Sequence, residues 1–285
     1  MRIIIVGANG QLGSDLSLIL SKYNPICLTH KHIEVSDVQS VKKIFKKYQP
    51  QILINTSAFH NVALCEKLPE EAFRINFIGV KNLAENALLY NTTLVHISTN
   101  YVFDGNKKRP YIEEDIPSPI NTYGISKLAG EYVIRYMLKK YFIVRTSALF
   151  GTHLCRAKGT NFVETILKLH KENKKIKVVN DEFTSPTYSL DLAKQISVII
   201  KTSYYGIFHA SNHGFCSWYN FAQTIFEILG IKKKVIPVKA ENFHPELKRP
   251  AFSALENRRL KELGLDQMRF WKDALREYLK NKGYL

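Results

Sequence analysis

Short apolar runs alternate with longer stretches of helical periodicity over most of the chain. Within each run the apolar residues are continuous, as expected for parallel strands that helices cover on both faces. This alternation predicts an α/β fold with a Rossmann-like, doubly wound parallel sheet and crossover helices. The predicted strands are Ile3–Val6, Pro25–Thr29, Ile52–Asn55, Leu94–Ser98, Phe142–Arg145 and Lys177–Val179.

The segments between these strands have helical spacing. We predict helices at Gln11–Tyr23, from a cap at Ser36 or Asp37 to Tyr48, and at Pro69–Leu89, Asn121–Lys139 and Thr160–Asn173. The pattern then loosens, and it predicts a strand and turn at Gly206–Ser211, a helix at Trp218–Leu229, a strand at Val235–Val238 and a helix at Phe270–Asn281. No internal repeat or low-complexity linker interrupts the order.

A glycine-punctuated turn follows the first strand and opens the first helix. Its sequence is Gly7-Ala8-Asn9-Gly10-Gln11-Leu12-Gly13. Glycines allow a tight turn and a close approach to a pyrophosphate, whose charge the free amides of the helix N-terminus favour. The glycine spacing is three and three, unlike the G-x-G-x-x-G fingerprint, yet its place between strand and helix predicts a dinucleotide site.

The end of the second predicted strand bears on cofactor choice. An acid at this place usually holds the ribose 2′-hydroxyl of NAD, whereas basic residues suit the 2′-phosphate of NADP. This chain has Thr29-His30-Lys31-His32 and no acid. We therefore predict NADPH binding with His30 and Lys31 near the phosphate, and leave NADH open. The alternative is that His30 and Lys31 are simply exposed turn residues.

A Tyr-x-x-x-Lys pair and a preceding threonine suggest proton-transfer chemistry. Tyr123 and Lys127 lie one helical turn apart on one face, and Thr99 ends the fourth predicted strand. A phenol titrates near pH 10 and a nearby ammonium lowers that pKa, as general acid–base catalysis requires. Such pairs also occur on solvated helix faces, but with the glycine turn they predict hydride transfer between a nicotinamide and a carbonyl carbon.

The length of the chain suits one α/β core with a smaller attached lobe. We expect a NAD(P)-binding domain over residues 1–150, later segments near 160–200 packing back on it, and a mainly substrate-binding lobe over residues 151–285. The 285-residue chain carries 41 basic and 25 acidic residues, for a net charge of +16. Its lysines are spread over helices, which suits a pyrophosphate-bearing substrate and argues against nucleic acid.

The sequence supports neither a membrane protein nor a metal-binding protein. No apolar run approaches the roughly 18 residues that span a bilayer, so no membrane association is expected. Cys27, Cys65, Cys155 and Cys216 form no close pair, which argues against a disulfide framework or a cysteine-rich zinc site. We predict no metal, and a reducing, cytoplasmic location.

Motifs along almost the whole chain resemble the dTDP-4-dehydrorhamnose reductase family of extended short-chain dehydrogenase/reductases. The matching segments are the glycine turn, Ser98-Thr99-Asn100-Tyr101-Val102-Phe103-Asp104-Gly105, Tyr123-Gly124-Ile125-Ser126-Lys127, Arg145-Thr146-Ser147, Ser185-Pro186-Thr187-Tyr188 with Asp191-Leu192-Ala193, and Arg249-Pro250 with Ser253 and Leu255. The resemblance implies NAD(P)H-dependent reduction of the C4 keto group of a nucleotide-linked 6-deoxyhexulose. The leading substrate is dTDP-4-dehydro-L-rhamnose, and family members can form homodimers.

The resemblance also implies residue roles. Thr99, Tyr123 and Lys127 would be catalytic. Cofactor contacts would come from Gly7, Gly10, Gln11, Leu12, Gly13, Glu34, Val35, Ser57, Ala58, Phe59, Tyr123 and Lys127. Substrate contacts would come from Val62, Asn100, Tyr101, Phe103, Ala148 and Arg249, the last because arginine binds phosphate bidentately.

Two departures from the family pattern fall in the sugar-contacting part. Asn100 stands where the family usually has Asp, and Ala148 where it usually has Trp. Loss of an indole removes a stacking surface and enlarges the pocket. The exact hexose therefore stays open, and two alternatives remain: a reductase of a related nucleotide-linked keto sugar, and a non-catalytic NADP-binding regulatory subunit.

Overall fold

The computed structural model describes residues 1–153, 159–243 and 246–285. Its strands in chain order, β1 to β12, are Ile3–Val6, Ile26–Leu28, Ile52–Asn55, Thr93–Thr99, Tyr141–Thr146, Leu149–Phe150, Ile176–Val179, Phe183–Thr184, Thr187–Tyr188, Gly206–His209, Cys216–Ser217 and Val235–Val238. Its helices, α1 to α12, are Gln11–Ile19, Val38–Tyr48, Val62–Lys67, Pro69–Phe73, Gly79–Leu89, Thr122–Met137, Phe162–Lys171, Ser189–Ile199, Trp218–Ile228, Ala240–Phe243, Arg258–Glu262 and Trp271–Asn281.

A six-stranded parallel sheet forms the centre of the fold. Its strand order is β2-β1-β3-β4-β5-β10, and each neighbouring pair is parallel. The chain passes from β1 to β2 on one side and then crosses over to β3 on the other side of β1, so the order reverses between β1 and β3. In such sheets ligands bind outside the carboxyl ends of the strands at this reversal. The predicted Rossmann-like fold is confirmed.

Helices bury both faces of the sheet, which explains the continuous apolar runs. On β1, Ile3 and Ile5 join the core under α1 and α8, with Leu16 and Ile196. Alternate residues of the same strand join the opposite core, which includes Phe45 of α2 and residues of α5 and α6. Because successive side chains of a strand point to opposite faces, every position of β1 must be apolar.

A third core lies in the later part of the chain. It packs α7, α9 and α12 around Phe150, Phe221, Trp271 and Tyr278. The predicted strand near Lys177 is β7, which pairs with β12 outside the central sheet. The sixth strand of the central sheet is instead β10, which adds beside β5. The loosened sequence pattern missed α8, although its Leu192 and Ile196 contribute to the main core.

Two predicted helices differ from the observed ones. The first ends at Ile19 and is followed by a short 3₁₀ turn at Ser21–Tyr23. The predicted helix over Pro69–Leu89 comprises α4, a π-helical turn at Arg74–Ile78, and α5. Widened turns of this kind often mark functional sites. Here the turn carries Asn76, whose amide donates to the Phe59 carbonyl at 2.9 Å and the Ser126 hydroxyl at 3.0 Å.

Within the described ranges, no helix is both long and apolar enough to cross a membrane. The longest of them, α6, has 16 residues and carries Lys127, Glu131 and Arg135. Of the cysteines considered above, Cys155 lies outside the described residues.

Candidate active site

A cavity of about 890 Å³ opens at the carboxyl ends of the central strands. It extends from the glycine turn to the third core, which α7, α9 and α12 form. Most residues predicted for the site line it together: Gly7, Gly10, Gln11, Leu12, Gly13, His30, Glu34, Val35, Ser57, Ala58, Phe59, Val62, Thr99, Asn100, Tyr101, Tyr123, Lys127, Ala148 and Arg249.

Two predicted residues lie elsewhere. Lys31 is exposed on the turn after β2 and does not line the cavity. Phe103 is fully buried in a small core, where its ring stacks on Tyr111 at 4.2 Å between centroids and lies 5.2 Å from the Arg145 guanidinium. The side chain of Phe103 therefore packs behind the site, because it points into the core and away from the cavity.

Close packing accounts for the glycines of the turn. Gly7 has a left-handed φ of +78°, and a Cβ there would lie 2.6 Å from the Thr56 hydroxyl. A Cβ on Gly13 would lie 2.2 Å from the Gly7 carbonyl oxygen. The turn therefore brings β1 and α1 into backbone contact. Beside it, Gln11 Nε2 is buried without a hydrogen-bond partner, so a polar group is available to a ligand.

The far end of the cavity combines basic and acidic groups. His30 Nδ1 lies 3.3 Å and Arg74 Nη1 3.5 Å from the Glu34 carboxylate. The Ser36 amide and hydroxyl also donate to Glu34, at 3.0 and 2.6 Å. Since no acid follows β2 directly and Arg74 lines the cavity, this end can accept a phosphate.

Caps at the N-terminus of α6 place Tyr123 in the first helical turn. Asn121 accepts a hydrogen bond from the Gly124 amide at 2.8 Å. Glu66 accepts from the Thr122 amide at 2.7 Å and from the Thr122 hydroxyl at 2.9 Å. These contacts satisfy amides that a helix start leaves free, and a carboxylate is also favoured by the helix dipole there.

Thr99 and Tyr123 are hydrogen-bonded at the cavity wall. Thr99 ends β4 and also accepts from the Tyr101 amide at 3.2 Å. Burial raises the pKa of Tyr123, and the hydrogen bond with Thr99 partly opposes this. The expected lowering of the tyrosine pKa by Lys127 does not dominate, because the phenol lies in a poorly solvated place where its charged form is costly.

Lys127 is buried behind Tyr123 and faces β4. Its Nζ lies 2.7 Å from the Ile97 carbonyl oxygen and 3.0 Å from His96 Nε2. Burial lowers the pKa of Lys127 to about 8, and Glu131 opposes this. The lysine is therefore a group that can change protonation near neutral pH.

A buried ion pair fixes α6 to the sheet one turn beyond Lys127. Arg145 of β5 donates from Nη2 to Glu131 at 2.6 Å and from Nε at 3.0 Å, and both side chains are at most 1% exposed. Ser98 of β4 also donates to Glu131. The pair gives Arg145 of the Arg145-Thr146-Ser147 motif a structural role in holding α6, the helix that carries Tyr123 and Lys127.

The two departures from the family pattern line the substrate side. The Asn100 amide donates to the Ser253 hydroxyl at 2.7 Å and its carbonyl at 3.2 Å, contacts that an ionised carboxylate could not donate. Ala148 lines the cavity with a left-handed φ of 40°, which is unusual for a residue other than glycine. Both residues therefore have specific environments in this chain.

The end of the cavity opposite the glycine turn joins an arginine to aromatic rings. Arg249 Nη1 lies 3.9 Å from Glu182, and Arg249 Nε is buried without a hydrogen-bond partner. Trp218 lines the cavity and lies 4.8 Å from the Phe162 ring, whereas Phe252 packs against Phe183. A phosphate and an aromatic base are the groups that such a surface binds.

Sequence reasoning missed several residues at or behind the cavity, among them His96, Phe162 and Glu182. Arg74, which lines its far end, belongs to the same group. Only His96 left a local signal, since it is a polar residue between the apolar residues Val95 and Ile97 of β4. The other residues reach the site because segments distant in the sequence pack together, and local periodicity does not predict such packing.

Comparison with known proteins agrees with this geometry. Residues 1–283 match the family model described as RmlD substrate binding domain. The chain belongs to this family. It is 40% identical over 283 residues to the spore coat polysaccharide biosynthesis protein SpsK of Bacillus subtilis (strain 168), covering 99% of this chain and 98% of that protein. The resemblance to the dTDP-4-dehydrorhamnose reductase family is confirmed.

Two further relatives of this RmlD family chain carry activity names. A dTDP-4-keto-6-deoxy-D-glucose reductase of Streptomyces niveus is 33% identical and covers 96% of this chain and 95% of its own length. The crystal structure of dTDP-4-dehydrorhamnose reductase from Bacillus anthracis str. Ames in complex with NADP superposes with a TM-score of 0.94 at 40% identity, covering 98% of this chain and 99% of that one.

Proposed function

We propose that this protein is an NADPH-dependent reductase of the C4 keto group of a dTDP-linked 6-deoxyhexulose. The leading substrate is dTDP-4-dehydro-L-rhamnose, which would be reduced to dTDP-L-rhamnose. One observation carries the proposal: Thr99, Tyr123 and Lys127 line the same cavity as the glycine turn, in a chain of the RmlD family. NADP bound to the Bacillus anthracis relative supports the cofactor.

The residues around the glycine turn fit a dinucleotide. A Cβ on Gly7 or Gly13 would collide with Thr56 or with the Gly7 backbone, so the two glycines permit the tight turn, and Gln11 Nε2 beside it is a buried donor without a partner. The amides at the start of α1 would hold the pyrophosphate. Ser57, with Ala58 and Phe59, would flank the cofactor, which supplies hydride when it is bound. The geometry of the turn therefore supports dinucleotide binding independently of the comparison with relatives.

Preference for NADPH over NADH is supported at the far end of the cavity. The segment after β2 lacks the acid that would hold a ribose 2′-hydroxyl, while Arg74 offers a positive charge and His30 lines the same end of the cavity. Glu34 already accepts from Ser36 and contacts both basic groups, which lowers the pKa of its carboxylate below the usual value. We expect measurable but weaker use of NADH.

Tyr123 acts as the proton donor in the proposed reaction. Burial raises its pKa, so the phenol keeps its proton until negative charge develops on the substrate oxygen. The Thr99 hydroxyl orients that oxygen against the phenol. Lys127 holds the ribose side of the nicotinamide and stabilises the phenolate that forms. These groups sit on the rigid start of α6 and the end of β4, which provides the orientation that catalysis needs.

A related dTDP-keto sugar is the second candidate substrate. The wall at Ala148 lacks a large side chain, and a relative with a dTDP-4-keto-6-deoxy-D-glucose reductase name is similar over its full length. Val62, Tyr101 and Asn100 would contact the sugar, and Arg249 the diphosphate. A comparison of the two substrates at equal concentration decides between them.

We further propose the organisation predicted above. Residues 1–150 would form the NAD(P)-binding domain, and residues 151–285 mainly the substrate-binding lobe. A cytoplasmic location and a homodimer stay predictions. The complete set of predicted catalytic groups argues against a purely regulatory NADP-binding role. Absence of turnover with all dTDP-keto sugars would support that role instead.

The decisive experiment follows loss of NADPH absorbance with dTDP-4-dehydro-L-rhamnose generated in the assay. We expect robust turnover, and a fall in kcat of about 10²-fold or more for Tyr123→Phe, since general acid catalysis contributes about that factor. NADPH affinity should change by less than about threefold, because the hydroxyl is not needed to hold the cofactor.

Tyr132→Phe provides the matched control. This tyrosine lies on the same helix but is 51% exposed and does not line the cavity. It should keep the parent kcat. If Tyr123→Phe retained near-normal turnover, the assignment of the proton donor would be wrong. If the parent bound NADPH but reduced neither dTDP-keto sugar, the substrate proposal would be wrong.

A further inference from the structure

The end of the cavity beyond β2 places two carboxylates around an arginine. Glu34, Glu71 and Arg74 all line this end, as does His30. The function proposed above puts the adenosine ribose of the cofactor here, because the dinucleotide extends from the glycine turn towards the residues that follow β2. NADPH carries a phosphate on that ribose, so the partners of Arg74 bear on how well the protein binds it.

Glu71 holds the guanidinium of Arg74 with both of its carboxylate oxygens. Arg74 donates from Nε to Glu71 Oε2 at 2.7 Å and from Nη2 to Glu71 Oε1 at 2.6 Å. Two parallel bonds of this kind form the fork with which arginine also binds a phosphate. Glu71 therefore occupies an edge of the guanidinium that could otherwise bind a phosphate through two hydrogen bonds.

The other terminal nitrogen of Arg74 also has partners. Nη1 donates to the Ser36 hydroxyl and lies 3.5 Å from Glu34 Oε1. The Ser36 hydroxyl in turn donates to Glu34 at 2.6 Å. Arg74 is thus bound by groups of the protein on both sides, and a phosphate can form two hydrogen bonds with it only if one of these groups moves.

Glu71 is the partner of Arg74 that moves at the lower cost. Its side chain is 37% exposed, so its carboxylate can turn into water and stay hydrated. Glu34 is 29% exposed and accepts from both the amide and the hydroxyl of Ser36, at 3.0 and 2.6 Å. Departure of Glu34 would break those hydrogen bonds as well as its contact with Arg74.

The charges at this end of the cavity oppose a further anion. Glu34 and Glu71 bring two negative charges to the single positive charge of Arg74, and His30 adds a charge only when it is protonated. Lys31 is exposed and does not line the cavity. A 2′-phosphate adds negative charge to this group, whereas the 2′-hydroxyl of NADH is neutral and can donate to a carboxylate.

We propose that Glu71 is a specificity-determining residue that occupies Arg74 and so limits the preference of this protein for NADPH over NADH. The proposal rests on the proposed function for the cofactor, and it is independent of which sugar is reduced. A bound 2′-phosphate displaces Glu71 and takes over its two hydrogen bonds with Arg74. Removal of the Glu71 charge therefore strengthens the binding of NADPH and leaves that of NADH unchanged.

The first test is a fluorescence titration of the protein with NADPH and with NADH in the absence of any sugar. We expect Glu71→Gln to lower the Kd of NADPH at least about threefold and to keep the Kd of NADH within about twofold, as suits the loss of a partly exposed charge. Glu71→Asp keeps the charge and should retain the parent ratio of the two constants.

Two further variants isolate the cause. Glu70→Gln is the matched control, because Glu70 is the neighbouring acid of α4, is exposed and does not line the cavity. It removes the same charge and should leave both constants unchanged. Arg74→Gln removes charge-assisted hydrogen bonds to the phosphate, so it should weaken NADPH binding at least about tenfold and NADH binding little.

A second test separates the phosphate from the rest of the dinucleotide. Adenosine 2′,5′-bisphosphate and adenosine 5′-monophosphate differ only in the 2′-phosphate, and each can compete with bound NADH. We expect Glu71→Gln to strengthen binding of the bisphosphate and to leave that of the monophosphate unchanged. An equal effect on both probes would overturn the proposal, since Glu71 would then not act on the 2′-phosphate.

The other outcomes separate this proposal from the proposed function. Weaker NADPH binding in Glu71→Gln would overturn the proposal, because Glu71 would then hold Arg74 in place for the phosphate. Equal gains in Glu71→Gln and Glu70→Gln would also overturn it, since a general charge effect would explain both. A protein that binds both cofactors but reduces no dTDP-keto sugar would refute the proposed reaction, while the ratio of the two constants would still decide on Glu71.

Discussion

Replacement of Glu131 by glutamine tests the buried ion pair that anchors the catalytic helix. The Arg145 guanidinium is 1% exposed, donates twice to Glu131, and has an Nη1 that already lacks a partner. Glutamine keeps the shape of Glu131 but removes its charge. The guanidinium would then be left buried without a counter-charge, and loss of one partner of such a pair typically costs about 3–5 kcal/mol.

That cost is a large part of a typical unfolding free energy of about 5–15 kcal/mol. With a urea dependence of about 3 kcal/mol per molar, the midpoint of unfolding should fall by about 1 M or more. The assay is urea unfolding followed by far-UV circular dichroism, with the slope compared to make sure that the midpoint reports stability.

Two further variants decide whether pairing is the cause. Glu262→Gln removes an exposed partner of Arg258 and should leave the midpoint unchanged. The double replacement Glu131→Leu with Arg145→Met removes both charges and should recover much of the loss, because apolar pairs of similar volume often replace buried ion pairs. A Glu131→Gln midpoint within error of the parent would refute the reasoning.

Three other predictions follow from the site. Gly13→Ala should weaken NADPH binding at least about tenfold in a fluorescence titration, because its Cβ would lie 2.2 Å from the Gly7 carbonyl oxygen and would displace the turn. Unchanged affinity would contradict a role of this turn in binding the cofactor. Asn121→Ala should lower the free energy of unfolding by about 1 kcal/mol through loss of the cap to Gly124, measured by thermal unfolding. The pKa of Lys127 is about 8 in the folded protein and 10.5 in the unfolded chain, so between pH 8 and pH 10.5 the unfolded state binds more protons. The free energy of unfolding should therefore rise from pH 8 to pH 10.5. Lys127→Met should abolish this rise.

Local chemistry in the sequence was sufficient for the first five strands of the sheet and for most of the cavity. The continuous apolar run of β1 predicts burial on both faces, because successive side chains point to opposite sides, and the structure places Ile3 and Ile4 in different cores. The glycine turn predicts a close strand-to-helix approach, which Gly13 makes against Gly7. These features depend on neighbours within a few residues, so the sequence alone determined them.

Tertiary structure decided the features that depend on burial and on distant contacts. The Tyr–Lys spacing predicts a lowered phenol pKa, yet burial raises the pKa of Tyr123 because desolvation outweighs the opposing hydrogen bond with Thr99. Phe103 belongs to a matching motif but packs behind the cavity, since its direction depends on Tyr111 and Arg145. His96 meets Asn55 across 41 residues of chain, a contact that only neighbouring strands of the sheet create. The sequence thus determined which groups are present, and folding decided which of them meet and in what protonation state.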